Sequence, residues 1–588
     1  MISPPLPPTR DMTDSQTQPS TATVGLLLGT TILIVFGRSL GADLVWDDKS
    51  LISMNMWLSH SDTFWKTWSQ DFWLLTNSSS QSGMYRPMVI DSYWLEHRLW
   101  GTTAAGYHAV NLVLHFANSM LLFLFARRLQ VAGFAALLGA LFFAIHPVQV
   151  EAAASVASRT DLLATLFILF GCLLWMGSER SRRLALAPIF LALCSKESAV
   201  VAPLLLLLID RRIGRPMSSK WAFWAALPWL PWLVLRSRAV GFGSEGLAHL
   251  NEWQGGARIF AYLSRVVVPL PQGPITQFPT VAPSIAIGSA LLLVGLAIIL
   301  LRWPSSKRLV FAALWTLLAL LPVSELLPVG ARYTDLLLYL AMCGLSIGLS
   351  DAIESAAKTL SIQRRIRNYM VGLGALFLFI LGLTSFSWTG VWANDLSLWS
   401  HAVHHTPDSI TANLNLGNAL RANGHREEGC SQLQATWNLV DIKKAPGTAS
   451  RVAYNLGNCA REREQWDLAV ERYQSSSELS NGQFLPARFN LATTYGSSER
   501  ADLGLQETQR LLLQAPELAR TWHIHGVMLA KLARYQEAMA AFERALSIDP
   551  QSAESGLFLD RARTLSESHQ RNSDRKSKGA AVEPRPAN

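Results

Sequence analysis

Ten apolar stretches near bilayer-crossing length set the first constraint on this chain. They lie near residues 22–40, 107–126, 131–145, 162–177, 184–209, 221–235, 282–301, 309–324, 333–350 and 369–387. With 50% hydrophobic residues and a mean hydropathy of +0.21, the 588-residue chain is too apolar for a soluble protein. Its last third is nonetheless polar. Two all-α parts are therefore expected, a polytopic helical membrane domain and a soluble domain behind it.

A net charge of +9 would suit a nucleic-acid partner, but the basic residues sit in short loops between apolar runs, and no basic stripe with interleaved aromatics occurs. Nucleic acid is excluded on that distribution. The clusters Arg127-Arg128, Arg180 to Arg183, Arg211 to Arg215, Arg302 to Arg308 and Arg364 to Arg367 instead act as orientation signals, all placed in the cytoplasm by the positive-inside rule. The stretch 184–209 is basic at both ends, so it is either a re-entrant hairpin or an exception to the rule. Its midpoint, Ser195-Lys196-Glu197-Ser198, is costly in lipid and favours the hairpin. Counting two arms there gives about eleven membrane segments. The N-terminus is then inside, and the C-terminal region, Asp47, Asp48, the 146–161 loop, Lys196, Glu197 and Arg332 are outside.

In the first outer loop, Phe64, Trp65, Trp68, Phe72 and Trp73 recur at spacings near three and four. They predict a helix with one aromatic face, laid along the membrane interface or packed on protein. Cys172, Cys194, Cys343, Cys430 and Cys459 lack metal-site spacing, and the first three fall in apolar runs as small buried side chains do.

From Asp395 a period near 34 residues emerges, stretched once by an insertion around Asp441 to Thr448. It relates Gly417, Gly457, Ala492 and Gly526. In the last repeat Trp522, Gly526, Ala538, Phe542, Ala545 and Pro550 occupy the positions of a tetratricopeptide helix pair. About four repeats are expected, preceded by a half-repeat with Trp399, Ala402 and Pro407. The boundaries predicted are a disordered N-terminus over 1–21, a membrane domain over 22–390, an α-solenoid over 391–565 and a disordered tail over 566–588.

Chemistry concentrates in the outer loops. Asp47 and Asp48 follow the first apolar run, and His146, Glu151, Arg159 and Asp161 set a base, carboxylates and a cation at a membrane boundary. Arg86 offers a planar fork suited to a phosphate oxygen, and Lys196 and Arg332 are further cations. Ligation of a divalent cation by His146 with Asp47, Asp48 or Glu151 stays open, though no dedicated metal spacing occurs.

Several motifs in order resemble those of the transmembrane and tetratricopeptide-repeat (TMTC-like) O-mannosyltransferases. They are Trp46-Asp47-Asp48, Tyr85-Arg86-Pro87, Gly106 to Asn111, Phe143 to Val148, Arg159 to Leu163, Ser195-Lys196-Glu197, Arg332-Tyr333 and Asp395 to Trp399. The membrane part is similar to the GT-C class of glycosyltransferases that use polyprenyl-phosphate sugars. The resemblance implies transfer of a sugar, mannose or another hexose, from a polyprenyl or dolichyl phosphate to a Ser or Thr hydroxyl outside the cytoplasm. Asp47 or Asp48 would be the base, and Arg86, Lys196 and Arg332 would hold the donor phosphate. His146, Glu151, Arg159, Asp161, Glu197 and Tyr333 would position sugar and acceptor. The implied partners are the lipid-linked donor, membrane lipid and a protein acceptor held by the repeats.

Two features depart from the family: Ala331 stands where a Glu precedes Arg-Tyr, and the array is short, with one Asn-x-Ser sequon at Asn77. A bacterial relative in the inner membrane with periplasmic repeats fits these departures; a eukaryotic one would place the repeats in the lumen of the endoplasmic reticulum. Two other functions remain open. Sugar could pass to a glycolipid or surface polysaccharide, or the chain could be a non-catalytic scaffold acting through its repeats.

Overall fold

The computed structural model describes residues 19–74, 76, 82–216, 218–241, 255–269, 307–324, 335–359 and 364–580, with isolated positions between 285 and 291. Arg332, Tyr333, Asn77 and most of the apolar run at 282–301 lie outside the described residues. Among the described residues all regular structure is helical, and the chain divides into two compact units, one up to Thr406 and one from Pro407.

The first unit begins with α1 (Thr21–Phe36), α2 (Pro87–Trp100), α3 (Ala104–Arg128), α4 (Gly133–Ile145), α5 (Val150–Ala154) and α6 (Arg159–Trp175). It continues with α7 (Leu186–Leu193), α8 (Ala202–Arg212), α9 (Gly255–Val267), α10 (Lys307–Leu320), α11 (Tyr339–Thr359), α12 (Arg364–Thr389) and α13 (Asp395–His405). Five described stretches are long and apolar enough to cross a membrane: Thr21–Gly41, Ala104–Arg128, Val156–Trp175, Asp335–Lys358 and Asn368–Ala393. A sixth arises if α4 and the segment Pro147–Ala154, bent by 56°, count as one. Pro147 explains that bend, since its ring and missing N–H end the helix before it. At 184–209 the structure has two helices, α7 and α8, flanking a tip at Lys196 and Glu197. At 1.5 Å per residue they are only about 12 and 17 Å long, as the arms of a hairpin would be.

One face of α3 holds these breaks together. His108, Asn111, His115 and Asn118 recur at spacings of three, four and three, and all four are buried. Asn111 donates to Ser155 O at 2.8 Å and Asn118 to Leu162 O at 3.0 Å, while His115 Nε2 lies 2.9 Å from Ala144 O and His108 Nε2 3.4 Å from Asp43 O. Those at Ala144 O and Ser155 O satisfy carbonyls left without an intrahelical partner where the chain leaves a helix, avoiding about 1–3 kcal/mol per unmet buried group. The basic clusters gather at the opposite end of the bundle. There Arg212 donates to Leu129 O at 3.2 Å, Arg308 to Gln130 O at 2.9 Å and Arg215 to Trp175 O at 2.8 Å, and Arg182 pairs with Asp210.

The expected aromatic helix is one turn, Thr63–Lys66, followed by a tight turn at Thr67–Ser69. Trp65 is 75% exposed, Phe72 is buried, and Trp68 donates to Asp91 at 2.9 Å. The rings therefore divide between surface and core instead of sharing one face. Cys172, Cys194 and Cys343 are buried and free, as their apolar context implied.

The second unit contains four helix pairs: α14 (Ile410–Ala422) with α15 (Arg426–Leu439), α16 (Pro446–Glu462) with α17 (Trp466–Leu479), α18 (Leu485–Ser497) with α19 (Ala501–Gln514), and α20 (Ala519–Lys531) with α21 (Tyr535–Ile548). The small residues of the repeat mark the close approaches. A Cβ on Gly417, Gly457 or Gly526 would lie 2.7, 2.6 or 2.7 Å from Leu433, Tyr473 or Phe542. Cys430 and Cys459, 29 residues apart, form a disulfide between α15 and α16 that their spacing alone did not reveal. The expected domain boundaries shift in two places. The half-repeat α13 belongs to the first unit, and residues 566–580, expected to be disordered, continue the last helix, α22 (Ala553–Ala580). Glu567 and Arg571 pair one turn apart there, and the segment lacks proline.

Gly457→Val should destabilise the repeat unit by about 1–3 kcal/mol through overpacking against Tyr473. Circular dichroism melting of the full chain reads it, and an unchanged melting temperature would refute the close-approach assignment.

Candidate active site

The Trp46-Asp47-Asp48 turn is set by backbone conformation first. Trp46 sits at φ +49°, a left-handed conformation uncommon for a bulky residue, so surrounding contacts must hold it. Its N–H donates to Asp395 Oδ1 at 2.9 Å, its ring meets Trp399 edge-on at 5.4 Å, and Lys49 pairs with Asp395. Asp395 and Trp399 come from the start of α13, whose first turn is fixed by an Asn394–Ser397 capping box. The Asp395-Leu396-Ser397-Leu398-Trp399 motif thus grips the Trp46-Asp47-Asp48 motif within one unit.

The turn separates the two aspartates. Asp48 is fully buried and accepts from Ala157 N at 2.6 Å, Ser155 Oγ at 3.3 Å and Val45 N at 3.3 Å. It ties the loop before α6 to the Val45–Asp48 turn that follows α1. Burial pushes its carboxyl up to about 7, against the pull of those N–H donors and with a small upward push from Asp47. Asp47 is half-buried beside it.

A second group joins the hairpin tip to the start of α2. Glu197 accepts from Arg86 Nε at 2.9 Å and from Tyr85 N at 2.8 Å, and the Arg86 guanidinium lies 5.4 Å from the Phe72 ring centre. The adjacent Lys196 pairs with Asp161 at 2.5 Å. Glu151, half-buried on α5, is within Coulombic reach of Asp161, Lys196, Asp335 and Arg265. Arg265 on α9 in turn grips Asp335 with two guanidinium nitrogens. The structure therefore brings Glu151, Asp161 and Lys196 into one cluster, with Arg86 and Glu197 one residue along the tip. Among the described residues, no group of three or more His, Cys, Asp or Glu side chains is disposed to hold a metal ion.

Two residues expected to position sugar are committed elsewhere. Arg159 is fully buried: Nε donates to Asn111 Oδ1 at 2.9 Å, Nη2 to Tyr107 O at 2.8 Å, and Nη1 pairs with Glu96. His146 is buried with Nε2 3.1 Å from Val266 O and Nδ1 accepting from Val148 N at 3.3 Å. Both brace loops. Sequence reasoning missed Glu96, Arg265 and Asp335; Asp335, within the apolar run at 333–350, carried the signal that located the others, whereas Glu96 and Arg265 stand apart from any such run.

These features define a helical membrane protein with buried charge clusters at one end of its bundle and a solenoid of tetratricopeptide type. The chain resembles the TMTC protein O-mannosyltransferases, as its motifs suggested. It is 25% identical over 440 residues to a protein O-mannosyl-transferase of Caenorhabditis elegans, covering 71% of this chain and 62% of that protein. It is 36% identical over 165 residues to human protein O-mannosyl-transferase TMTC4, covering 25% of this chain and 22% of TMTC4. The chain thus spans less than two thirds of these relatives. A tetratricopeptide-repeat family model matches residues 519–552. The solved structure of YrrB, a TPR protein with an unusual peptide-binding site, is 20% identical and covers 27% of this chain and 79% of its own, with a TM-score of 0.24.

Asp48→Asn should test the burial of that carboxyl. Because its folded value is raised, its ionisation costs the wild type stability progressively from about pH 4 to about pH 7, and no further above that. The variant's melting temperature, measured in detergent, should therefore gain on the wild type across that window and level off beyond it. A pH-independent difference would refute the assignment.

Proposed function

We propose that this chain is a membrane glycosyltransferase that moves a sugar, mannose or another hexose, from a polyprenyl-phosphate donor to Ser or Thr hydroxyls of proteins on the extracytoplasmic side. Named protein O-mannosyl-transferases among its relatives support the transfer. The gathering of four basic clusters at the far end of the bundle supports the side. The observation that carries the residue assignment is the division of labour between the aspartates: Asp48 is consumed by backbone donors, while Asp47 keeps partial exposure on the same rigid turn.

In this reading Asp47 takes the proton of the acceptor hydroxyl as its oxygen bonds to the anomeric carbon. The bond from that carbon to the phosphate oxygen breaks, and polyprenyl phosphate leaves with the electron pair. Lys196 and Arg86 receive the growing phosphate charge, each already aimed by a carboxylate partner and so spared reorganisation. Arg265 joins them as a cation that sequence reasoning did not include, and Arg332 keeps the same assignment from its motif alone. Glu151 and Asp161 orient the sugar hydroxyls, whose donors suit carboxylates. Glu197 positions Arg86, and Tyr333, beside Arg332, is assigned to the acceptor side.

The test is transfer from polyprenyl-phosphate mannose to a Ser/Thr peptide by the purified chain in lipid vesicles. Asp47→Asn should lower kcat/KM by about 10²- to 10⁴-fold, whereas Asp48→Asn should retain most of it. Full activity in Asp47→Asn, with the fold verified by melting, would remove Asp47 as the base.

A further inference from the structure

The end of the bundle away from the hairpin tip carries cations in two layers, and the inner layer is closed. Arg182 lies between the rings of Trp175 and Trp221, 4.3 and 3.7 Å from their centres, and pairs with Asp210, which Arg215 approaches at 3.7 Å. Arg215 also donates to Met176 O at 2.9 Å and Gly177 O at 2.7 Å, which seals the end of α6. This core brings together two short helices, Glu179–Leu184 and Ser219–Ala226.

The outer layer on those two helices is open. Arg180, Arg183 and Lys220 are exposed, and they are set against one carboxylate, Glu179, which comes no nearer to Arg183 than 3.9 Å. The Arg183 guanidinium lies 6.0 Å from the Trp224 ring centre, and the Lys220 ammonium 5.4 Å from that of Trp221. A cation resting on a ring face is positioned by it yet keeps N–H groups for a second partner, and the planar fork of Arg matches phosphate oxygens. Apolar side chains continue this surface inward. Leu184 follows Arg183 and Phe223 follows Lys220 by three residues, both exposed. Phe223 therefore sits about 4.5 Å further along the helix than Lys220. From there the chain runs on to the tip end, where Arg236 donates to Gly83 O at 3.0 Å. Cations at the rim, indoles beneath them and bare apolar side chains further in follow the order of one lipid leaflet: phosphate, interface, acyl chain.

We propose that this patch binds an anionic phospholipid of the leaflet at the basic end of the bundle. Its phosphate is received by Arg180, Arg183 and Lys220, and an acyl chain lies along Leu184 and Phe223. The site is distinct from Lys196 and Arg86, the cations assigned to the donor phosphate at the hairpin tip. The inference holds whether or not the chain is a transferase.

The test is native mass spectrometry of the full chain from micelles holding phosphatidylglycerol and phosphatidylcholine in equal amounts. Retained phosphatidylglycerol should exceed phosphatidylcholine at least about fivefold, and the ratio should shrink as salt in the equilibration buffer rises. The combined Arg180→Gln, Arg183→Gln and Lys220→Gln variant should bring the ratio close to parity with its circular dichroism spectrum unchanged. The combined Arg180→Lys, Arg183→Lys and Lys220→Arg variant should keep it. Each single Gln variant should lower the ratio in part, so the outcome does not depend on the folding of the triple one. Glycerol phosphate, a headgroup without chains, should leave bound phosphatidylglycerol in place even at about tenfold excess, because the buried acyl chain adds to its affinity. Equal retention of the two lipids, a ratio that no Gln variant lowers, or displacement by glycerol phosphate would each overturn the inference.

Discussion

A fully buried guanidinium governs the end of the bundle where the chemistry is assigned. Arg159 cannot shed its charge, so its low-dielectric site is tolerable only because Glu96, Asn111, Tyr107 O and the Tyr93 ring 4.8 Å away surround it. The pair is a costly one: burial drives the Glu96 carboxyl upward, and Arg159 pulls it back only to about 7. Breaking it would leave an unpaired buried charge, a loss of about 3–5 kcal/mol. The value of such a group lies in uniqueness of structure. It locks α2, α3 and the start of α6 in one arrangement, and Asp48, Glu151 and Asp161 all hang from the segment that arrangement fixes.

The same economy repeats around it. Arg86 with Glu197, Lys196 with Asp161 and Arg265 with Asp335 each place a cation and a carboxylate from distant parts of the chain in contact, side by side near helix breaks. Paired in advance, these cations keep fixed positions, and on the transferase reading a phosphate would meet charge there that does not have to be gathered. Trp46 adds a different kind of constraint. Its left-handed backbone stores strain that the Asp395 and Trp399 contacts offset, and the sharp turn leaves Asp48 buried and Asp47 half-buried beside it.

Much of this was legible in the sequence because cost leaves a mark. Ionisable groups beside apolar runs, such as Asp47, Asp48, Lys196 and Glu197, stand out against lipid-compatible neighbours, and small residues at a fixed period announced the helix pairs around Gly457 and Gly526. Partner choice was not legible. Glu96 and Asn111, which close over Arg159, lie 63 and 48 residues away in sequence. The polar stripe His108, Asn111, His115 and Asn118 was hidden for a related reason: four of its partners are backbone carbonyls, which no side-chain pattern records, and the Arg159 and Tyr339 side chains it also meets lie far away in sequence. The short aromatic turn at 63–66 failed for yet another, since a spacing of three and four is necessary for a helical face but does not ensure that the helix lasts long enough to display one.

The contrast between the two units sharpens the physical picture. Around Asp48, Asp161 and Glu197 in the membrane unit, charge is paired and largely buried, so an individual group can be read from the bonds it makes. In the repeat unit charge is abundant and exposed, where any one pair contributes little. Only its distribution over layers carries information. Arg421 with Glu462 or Arg463 with Glu427 says little alone. The first helices α14, α16, α18 and α20 carry Arg421, Arg451, Arg461, Arg488, Arg520 and Lys531 against Glu462 alone, and that excess is different in kind, because a field summed over several side chains survives the screening that erases single contacts. Recognition there should therefore be read from salt dependence and charge sign, while recognition in the membrane unit should be read from the removal of individual groups.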